Sequence, residues 1–426
     1  MDRVFLPAAT VFWLAGVSLL IGCGKNGVAP PPPPARIGIQ AGNNQQAPIG
    51  TTLAIAPAAA VSDQSGNPVS NVSVTFAVAS GGGSVTGGNT TTNTSGVATV
   101  GSWTLGPLPG TNTVTATASG SGIAGNPATF TATGCTNCWT TKASMPTARW
   151  LLATEQVGNI LYALGGANPN IIGVLATVEA YDPSTNTWTT RASMPTARQG
   201  LGVTAINGIL YAVGGLDAAG NLLATVEAYD PSNNIWTTKA SMPTARTGLG
   251  VTAINGILYA VGGDVGGAIT RTVEAYDPGG NTWTTEAPMP TARSGLGATA
   301  INGILYAFGG SSASAGDEAT VEAYDPSSNT WTTKVSMPTQ RALFGATSIN
   351  GILYAAGGVS KVLNQFIVVA TVEAYDPSTN TWTTKASMPT ARYAFAGTAI
   401  NGMLYAVGGF DDAAVSIVGT LTAYQP

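Results

Sequence analysis

The sequence predicts an all-β protein, a six-bladed β-propeller preceded by a β-sandwich. A long-period repeat is the first reason. Trp139, Trp188, Trp236, Trp283, Trp331 and Trp382 recur at intervals of 47 to 51 residues. A period near 50, built from apolar alternation without helical spacing, is the mark of a ring of small sheets. Composition is the second. Only 8% of the 426 residues are charged, against about 25% in an ordinary globular chain. With 55 Gly and 26 Pro, the chain is rich in turn-formers, and 44% hydrophobic content argues against disorder.

The same counts exclude several functions. There is no histidine, so no Ser-His-Asp triad and no His-ligated zinc, copper or haem can form. No metal or other cofactor is expected. Net charge is −4. No basic field exists to neutralise phosphates, so nucleic acid is not an expected partner.

Residues 1–22 read as an export signal. Arg3 precedes an uncharged apolar run, Val4 to Ile21, that ends Leu20-Ile21-Gly22-Cys23. A charged start, an apolar stretch and a small residue before the cut fit a secretory signal; an uncleaved membrane helix is the alternative. The order Leu-Ile-Gly-Cys resembles the lipobox of bacterial lipoproteins. That resemblance implies cleavage before Cys23, lipidation of Cys23, and a membrane held through the lipid anchor. Gly24 stands where an Asp would signal inner-membrane retention in such lipoproteins, so the outer membrane or cell surface is the expected location. Residues 23–36 form a linker whose run Pro30 to Pro34 extends as stiff polyproline II.

Residues 37–134 contain one charge, Asp63. Short alternating runs recur at Thr52–Ala56, Val72–Val78, Gly96–Val100, Thr113–Thr117 and Ala128–Ala132, separated by turn-formers such as Ser65-Gly66-Asn67-Pro68 and Gly81-Gly82-Gly83. This is the pattern of a half-buried antiparallel sandwich. The stretches Val61–Val69, Val74-Thr75-Phe76 and Thr94–Ala98 resemble bacterial Ig-like domains of the invasin and intimin type. That resemblance implies a rod-forming stalk.

Cys135 and Cys138 close the segment. Zinc would need a second ligand pair, and a redox centre would need a βαβ context. In an exported chain the pair reads as a disulfide at the domain junction.

Residues 139–426 are the repeat. In one unit, strand a is Gly202–Ile206, and Asn207-Gly208 signals a type I′ hairpin with positive φ at both positions. Strand b is Ile209–Val213 and ends on Gly214-Gly215. Strand c is Thr225–Tyr229, Asp230–Asn234 turns the chain, and strand d holds Trp236. The first copy carries Gly158-Asn159 at the a–b turn instead. The Gly pair, the Tyr and the Trp, in this order and spacing, resemble the kelch repeat strongly over essentially all of 139–426. The array starts with a lone strand d, Trp139–Lys142, and ends after a strand c, Leu421–Tyr424. Pairing the two would close the ring and remove an open edge.

The d–a and b–c connections are expected on one face, and the variable b–c loops are where specificity can sit. On that face Met-Pro-Thr-Ala-Arg recurs, with Gln340 replacing Ala once, and places Arg149, Arg198, Arg246, Arg293, Arg341 and Arg392 around a channel mouth. Six guanidinium forks there could clamp carboxylates of a ligand. In kelch propellers that bind acidic peptides, arginines near this mouth do so. The competing reading pairs each Arg with an acid of its own unit, such as Glu179, Glu227, Glu274, Glu322 or Glu373, because a repeated feature normally serves the repeat.

Copper-radical oxidases of the kelch type need His ligands and are excluded. A sugar epimerase or mutarotase would need an acid–base pair from residues that break the repeat: Glu155, Glu286, Asp317, Glu318, Asp411 or Asp412. Only Glu155 lies in a strand a, where other copies carry Thr204, Thr252, Thr299, Thr347 and Thr398. The favoured expectation is a non-enzymatic, lipid-anchored binding protein whose propeller contacts a protein or glycan.

Overall fold

The computed structural model describes residues 32–170, 173–313, 316–362 and 365–426. Residues 1–22, Cys23 and the start of the proline run lie outside the described residues. Every regular element among the described residues is a strand, and none of them forms a helix long and apolar enough to cross a membrane.

The amino-terminal unit is two main sheets and a two-stranded pair, Ser84–Thr86 with Ser102–Thr104, over one core. Arg36–Ala41, Ala58–Ser62 and Val97–Thr99 form one; Gln45–Pro48, Ala128–Cys135, Gly110–Ala118, Ser73–Ser80 and Asn89–Thr91 form the other, in that spatial order. Alternation sets the core face: Val114, Ala116 and Phe130 are buried while Thr113, Thr115 and Thr129 are not. Trp103 fills the centre at 0% exposure. Two sequence expectations are corrected here. Thr52–Ala56 is not a strand. Thr52 makes an isolated bridge to Thr104, and the strand begins after Pro57, since a proline cannot donate to a ladder. The sandwich is also not wholly antiparallel, because Gln45–Pro48 runs parallel to Ala132–Cys135. Asp63 is buried as the cap of the Ser65–Pro68 turn. Its Oδ1 accepts the N–H groups of Ser65 and Asn67 at 2.9 and 2.8 Å, and these bonds with the Asn67 side chain hold its pKa below the usual carboxylate value.

Cys135 and Cys138 are disulfide-bonded, with Cα atoms 6.1 Å apart. The bond joins the last sandwich strand directly to Cys138–Lys142, the first strand of the repeat.

The repeat forms six four-stranded antiparallel sheets. In the first, Ala153–Val157, Ile160–Leu164, Val178–Asp182 and Thr187–Arg191 follow in order as a, b, c and d. The a–b hairpin needs two left-handed residues, and Asn207 (φ 51°) with Gly208 (φ 80°) supplies them. Gly158 (φ 57°) and Asn159 (φ 65°) hold the same conformation in reversed order, so the first copy departs in sequence but not in shape. The sixth sheet takes its d strand from the beginning of the array: Cys138–Lys142 pairs with Leu421–Gln425, Trp139 opposite Tyr424.

Adjacent sheets share apolar cores. Leu164 and Tyr162 of the first pack with Leu201 and Tyr229 of the second, and the cycle closes where Tyr405 and Leu421 of the sixth meet Leu161 and Tyr181 of the first. The arrangement is a β-propeller.

Candidate functional site: the loop face of the propeller

Three nested layers build one face around the axis. The outermost is the glycine pair. The N–H of Gly215 donates to the carbonyl of Arg246 in the next sheet at 2.8 Å, and the same bond recurs from Gly166 to Arg198 and from Gly409 to Arg149. Gly214 must be glycine: at φ 65° its Cβ would lie 2.6 Å from that carbonyl. The glycines therefore bring each sheet against the arginine that opens the next.

The arginine layer comes next. All six arginines are at 0% exposure. Arg149, Arg198, Arg246, Arg293 and Arg341 pair with Glu179, Glu227, Glu274, Glu322 and Glu373 of strand c at 2.5 to 3.0 Å. Arg246 also donates to the carbonyls of Gly262 and Thr272, both at 2.9 Å. The second oxygen of Glu274 accepts from Thr244 at 2.7 Å. Burial pulls the Arg149 guanidinium down to about 10, against the opposing pull of Glu179. The expected anion clamp is thus corrected. These guanidinium groups turn into their own sheets, where a buried charge must be paired and hydrogen-bonded, and present nothing to a ligand.

Arg392 is the exception. Strand c of its sheet offers Thr422, which accepts at 2.7 Å, in place of a glutamate. Among the described residues no acid lies within ion-pairing distance of it. Burial again brings the guanidinium down to about 10, against the opposing pull of Asp411 in the adjoining loop strand. Its face stacks on the Phe395 ring at 5.4 Å.

The innermost layer is a closed circle of backbone. The N–H of Gly200 donates to Leu151, Gly248 to Gly200, Gly295 to Gly248, Leu343 to Gly295, Ala394 to Leu343 and Leu151 to Ala394, all at 2.8 to 2.9 Å. All six residues have φ between 51° and 63°. Sequence reasoning missed this collar. Three glycines hint at it, but Leu151, Leu343 and Ala394 hold a conformation that costs an ordinary residue about 1–2 kcal/mol. With the collar backbone, the apolar side chains of Leu152, Leu201, Leu249, Leu296, Phe344 and Phe395 line an open cavity of about 120 Å³. No hydrogen-bonding side chain contributes to this neck.

Loops complete the face. The residue before each collar position bridges the first residue after a glycine pair: Gln199 to Leu216, Thr247 to Asp264, Ser294 to Ser311 and Tyr393 to Phe410. The d–a and b–c connections therefore share one face. The loops differ most in sheets five and six. Val359–Val362 and Gln365–Val368 form a hairpin with Phe366 at 72% and Ile367 at 44% exposure.

The acids that break the repeat scatter. Glu286 sits on an outer strand, where it accepts from Thr284 at 2.9 Å. Asp317 accepts from Ser311 and Glu318 from Ser312 within one loop. Asp411 accepts the N–H groups of Ala413 and Ala414, and Asp412 is exposed. Glu155 lies on the innermost strand of the first sheet. Its Oε1 accepts the N–H of Gln156 at 2.8 Å, and burial pushes its carboxyl up to about 7. The structure places none of these acids beside another in the channel.

A model of the kelch motif matches residues 152–195, 197–243, 245–290, 292–338 and 340–389, more than half of the chain. The chain belongs to the kelch-repeat family. Among solved structures, the kelch chain resembles YjhT with a TM-score of 0.57 at 16% identity, over 66% of this chain and 95% of that one. At that identity the likeness speaks for the fold. No curated protein matches the sequence.

Proposed function

We propose that this kelch protein is a non-enzymatic binding protein of the cell envelope. Its six-bladed propeller presents the loop face to a protein or glycan, its Ig-like sandwich serves as a stalk, and a lipid on Cys23 holds it at the outer membrane or cell surface. One observation carries the reading. The repeated polar side chains of this face are consumed inside the scaffold, so its variation lies in the loops above them. The Arg–Glu pairs, the glycine links and the collar build nearly the same platform six times. A platform of that kind supports recognition by loop variation. The neck below is lined by apolar side chains and collar backbone and offers no acid–base pair, which disfavours chemistry in the channel.

A glycan and peptide array probed with the purified ectodomain tests the reading. Saturable binding that is altered by substitutions in the 359–368 or 410–417 loops supports it; an array without signal overturns it. A second reading, a sugar-modifying enzyme, has one observation in its favour. Glu155 is a carboxyl on the innermost strand, poised near neutrality by burial. Turnover of a sugar anomer that disappears in Glu155→Gln would establish it.

A further inference from the structure

The rim of the collar is not uniform. At the same structural position, five copies carry Gln199, Thr247, Ser294, Ala342 and Tyr393, and the remaining one carries Trp150. Four junctions build the bridge to the following loop without an aromatic residue, through Gln199, Thr247, Ser294 and Ala342. The scaffold therefore does not require one. Between the sixth and first sheets, however, three aromatic rings gather. Trp150 lies 6.2 Å from Tyr393, edge-on at 70°, and 6.3 Å from Phe410. Tyr393 and Phe410 lie 5.3 Å apart. All three remain partly exposed, unlike the Tyr229 and Tyr276 rings inside the sheets. The Trp150 indole N–H is itself buried and has no hydrogen-bond acceptor among the described residues, so the ring and not this donor is what the site presents.

The surroundings narrow the chemistry. Following Trp150 round the collar stand Gln199, Thr247 and Ser294, with half-buried amide and hydroxyl side chains. The six arginines are buried and offer no cation. Burial raises the pKa of the Tyr393 phenol, and the exposed Asp412 nearby adds to the rise. Such a rim joins a cluster of mutually tilted aromatic rings to neutral donors and acceptors, with the negative charge of Asp412 beside it. A sugar ring has the matching form, with a C–H face that lies on an aromatic ring and hydroxyls at its edge.

We propose that Trp150, Tyr393 and Phe410 form a stacking subsite for a neutral glycan, with Gln199, Thr247 and Ser294 facing its hydroxyl groups. The proposal deepens the binding reading above and rests on it. Anionic sugars are disfavoured, because Asp412 stands beside the rings and repels them, whereas the exposed Arg271 belongs to the loop of the third sheet.

The test uses the purified ectodomain with soluble cellohexaose, maltohexaose, mannohexaose and chitohexaose, and with hexagalacturonate as the anionic comparison. Tryptophan fluorescence and calorimetry report binding. At least one neutral hexaose should bind saturably, and hexagalacturonate more weakly. Trp150→Ala and Tyr393→Ala should each weaken binding tenfold or more. Trp150→Phe, which keeps a stacking ring, should remain within about threefold and guards against a folding failure. Ile235→Ser, on the exposed outer strand of the second sheet and away from the loop face, should leave affinity unchanged. The proposal is overturned if no neutral hexaose binds, or if binding survives Trp150→Ala and Tyr393→Ala intact. Array binding that depends on Phe366 but not on Trp150 would sink this subsite and leave the loop-face reading standing. An array with no ligand at all would sink both.

Discussion

The Tyr424 hydroxyl donates to Asn137 Oδ1 at 2.6 Å, across 287 positions of sequence. Tyr181 makes the same bond to Asn186, five positions on, at 2.8 Å. In each case the asparagine oxygen also accepts a backbone N–H, from Ala386 or from Ala143 at 2.8 and 2.9 Å. Trp139 donates to the Ala386 carbonyl at 2.9 Å as Trp188 does to Ala143 at 2.8 Å. The first strand of the array thus completes the last sheet atom for atom.

Ring closure is therefore expected to matter as much as any internal turn. Asn137→Ala leaves the Tyr424 hydroxyl without its acceptor. It should cost about 1–3 kcal/mol in urea unfolding, close to the cost of Asn186→Ala. Removing 137–142 should lower the melting temperature of the propeller sharply. An unchanged melt after that deletion would show that the ring is not closed in this way.

The buried ion pairs give an asymmetric expectation. Glu274→Ala strands the Arg246 guanidinium at 0% exposure and should cost about 3–5 kcal/mol. The double replacement Arg246→Met with Glu274→Leu should recover most of that loss, since an apolar pair of similar volume needs no desolvation. Thr422→Glu restores to Arg392 the partner that five other arginines have. It should raise the urea midpoint, against the general trend for charges placed in a core. A fall in the midpoint would mean that Asp411 already balances Arg392.

Glu155 predicts a pH dependence of definite sign. Its folded pKa, about 7, lies above the unfolded value of about 4.3. The protonated form is favoured on folding, so its stabilising effect is complete below the unfolded value and is lost as pH rises through 7. Glu155→Gln should leave the melting temperature unchanged at pH 4 and raise it at pH 8, by a stability gain of about 1–3 kcal/mol. Equal effects at both pH values would place the Glu155 carboxyl in ordinary solvent.

Much of this architecture is legible in the chain, and the gaps have physical causes. Asn207-Gly208 announces its turn because few other residues accept two consecutive left-handed conformations. The period of Trp and Gly-Gly announces the repeated sheets, because each unit must present the same apolar faces to its neighbours. The fate of the arginines is harder to read. Arg149 and Glu179 lie 30 positions apart, and only the fold shows that the side chain turns inward. The signal was there in Thr422: the one copy that lacks the strand-c glutamate is also the one whose arginine has no ion pair. The collar was illegible because Leu151 and Ala394 betray nothing of their backbone. The aromatic trio was illegible because Trp150 and Phe410 are 260 positions apart and meet only when the ring closes. In the sandwich, Thr52–Ala56 alternates like a strand, and tertiary pairing chose the segment after Pro57 instead.

The central claim is that recognition belongs to the loops and not to the repeated arginines. The most direct measurement compares array binding of the ectodomain with that of a variant whose 410–417 loop is replaced by the 264–269 loop of the third sheet. The account predicts that the replacement keeps the melting temperature within a few degrees and abolishes the bound signal. A signal that persists unchanged in the loop variant would contradict it.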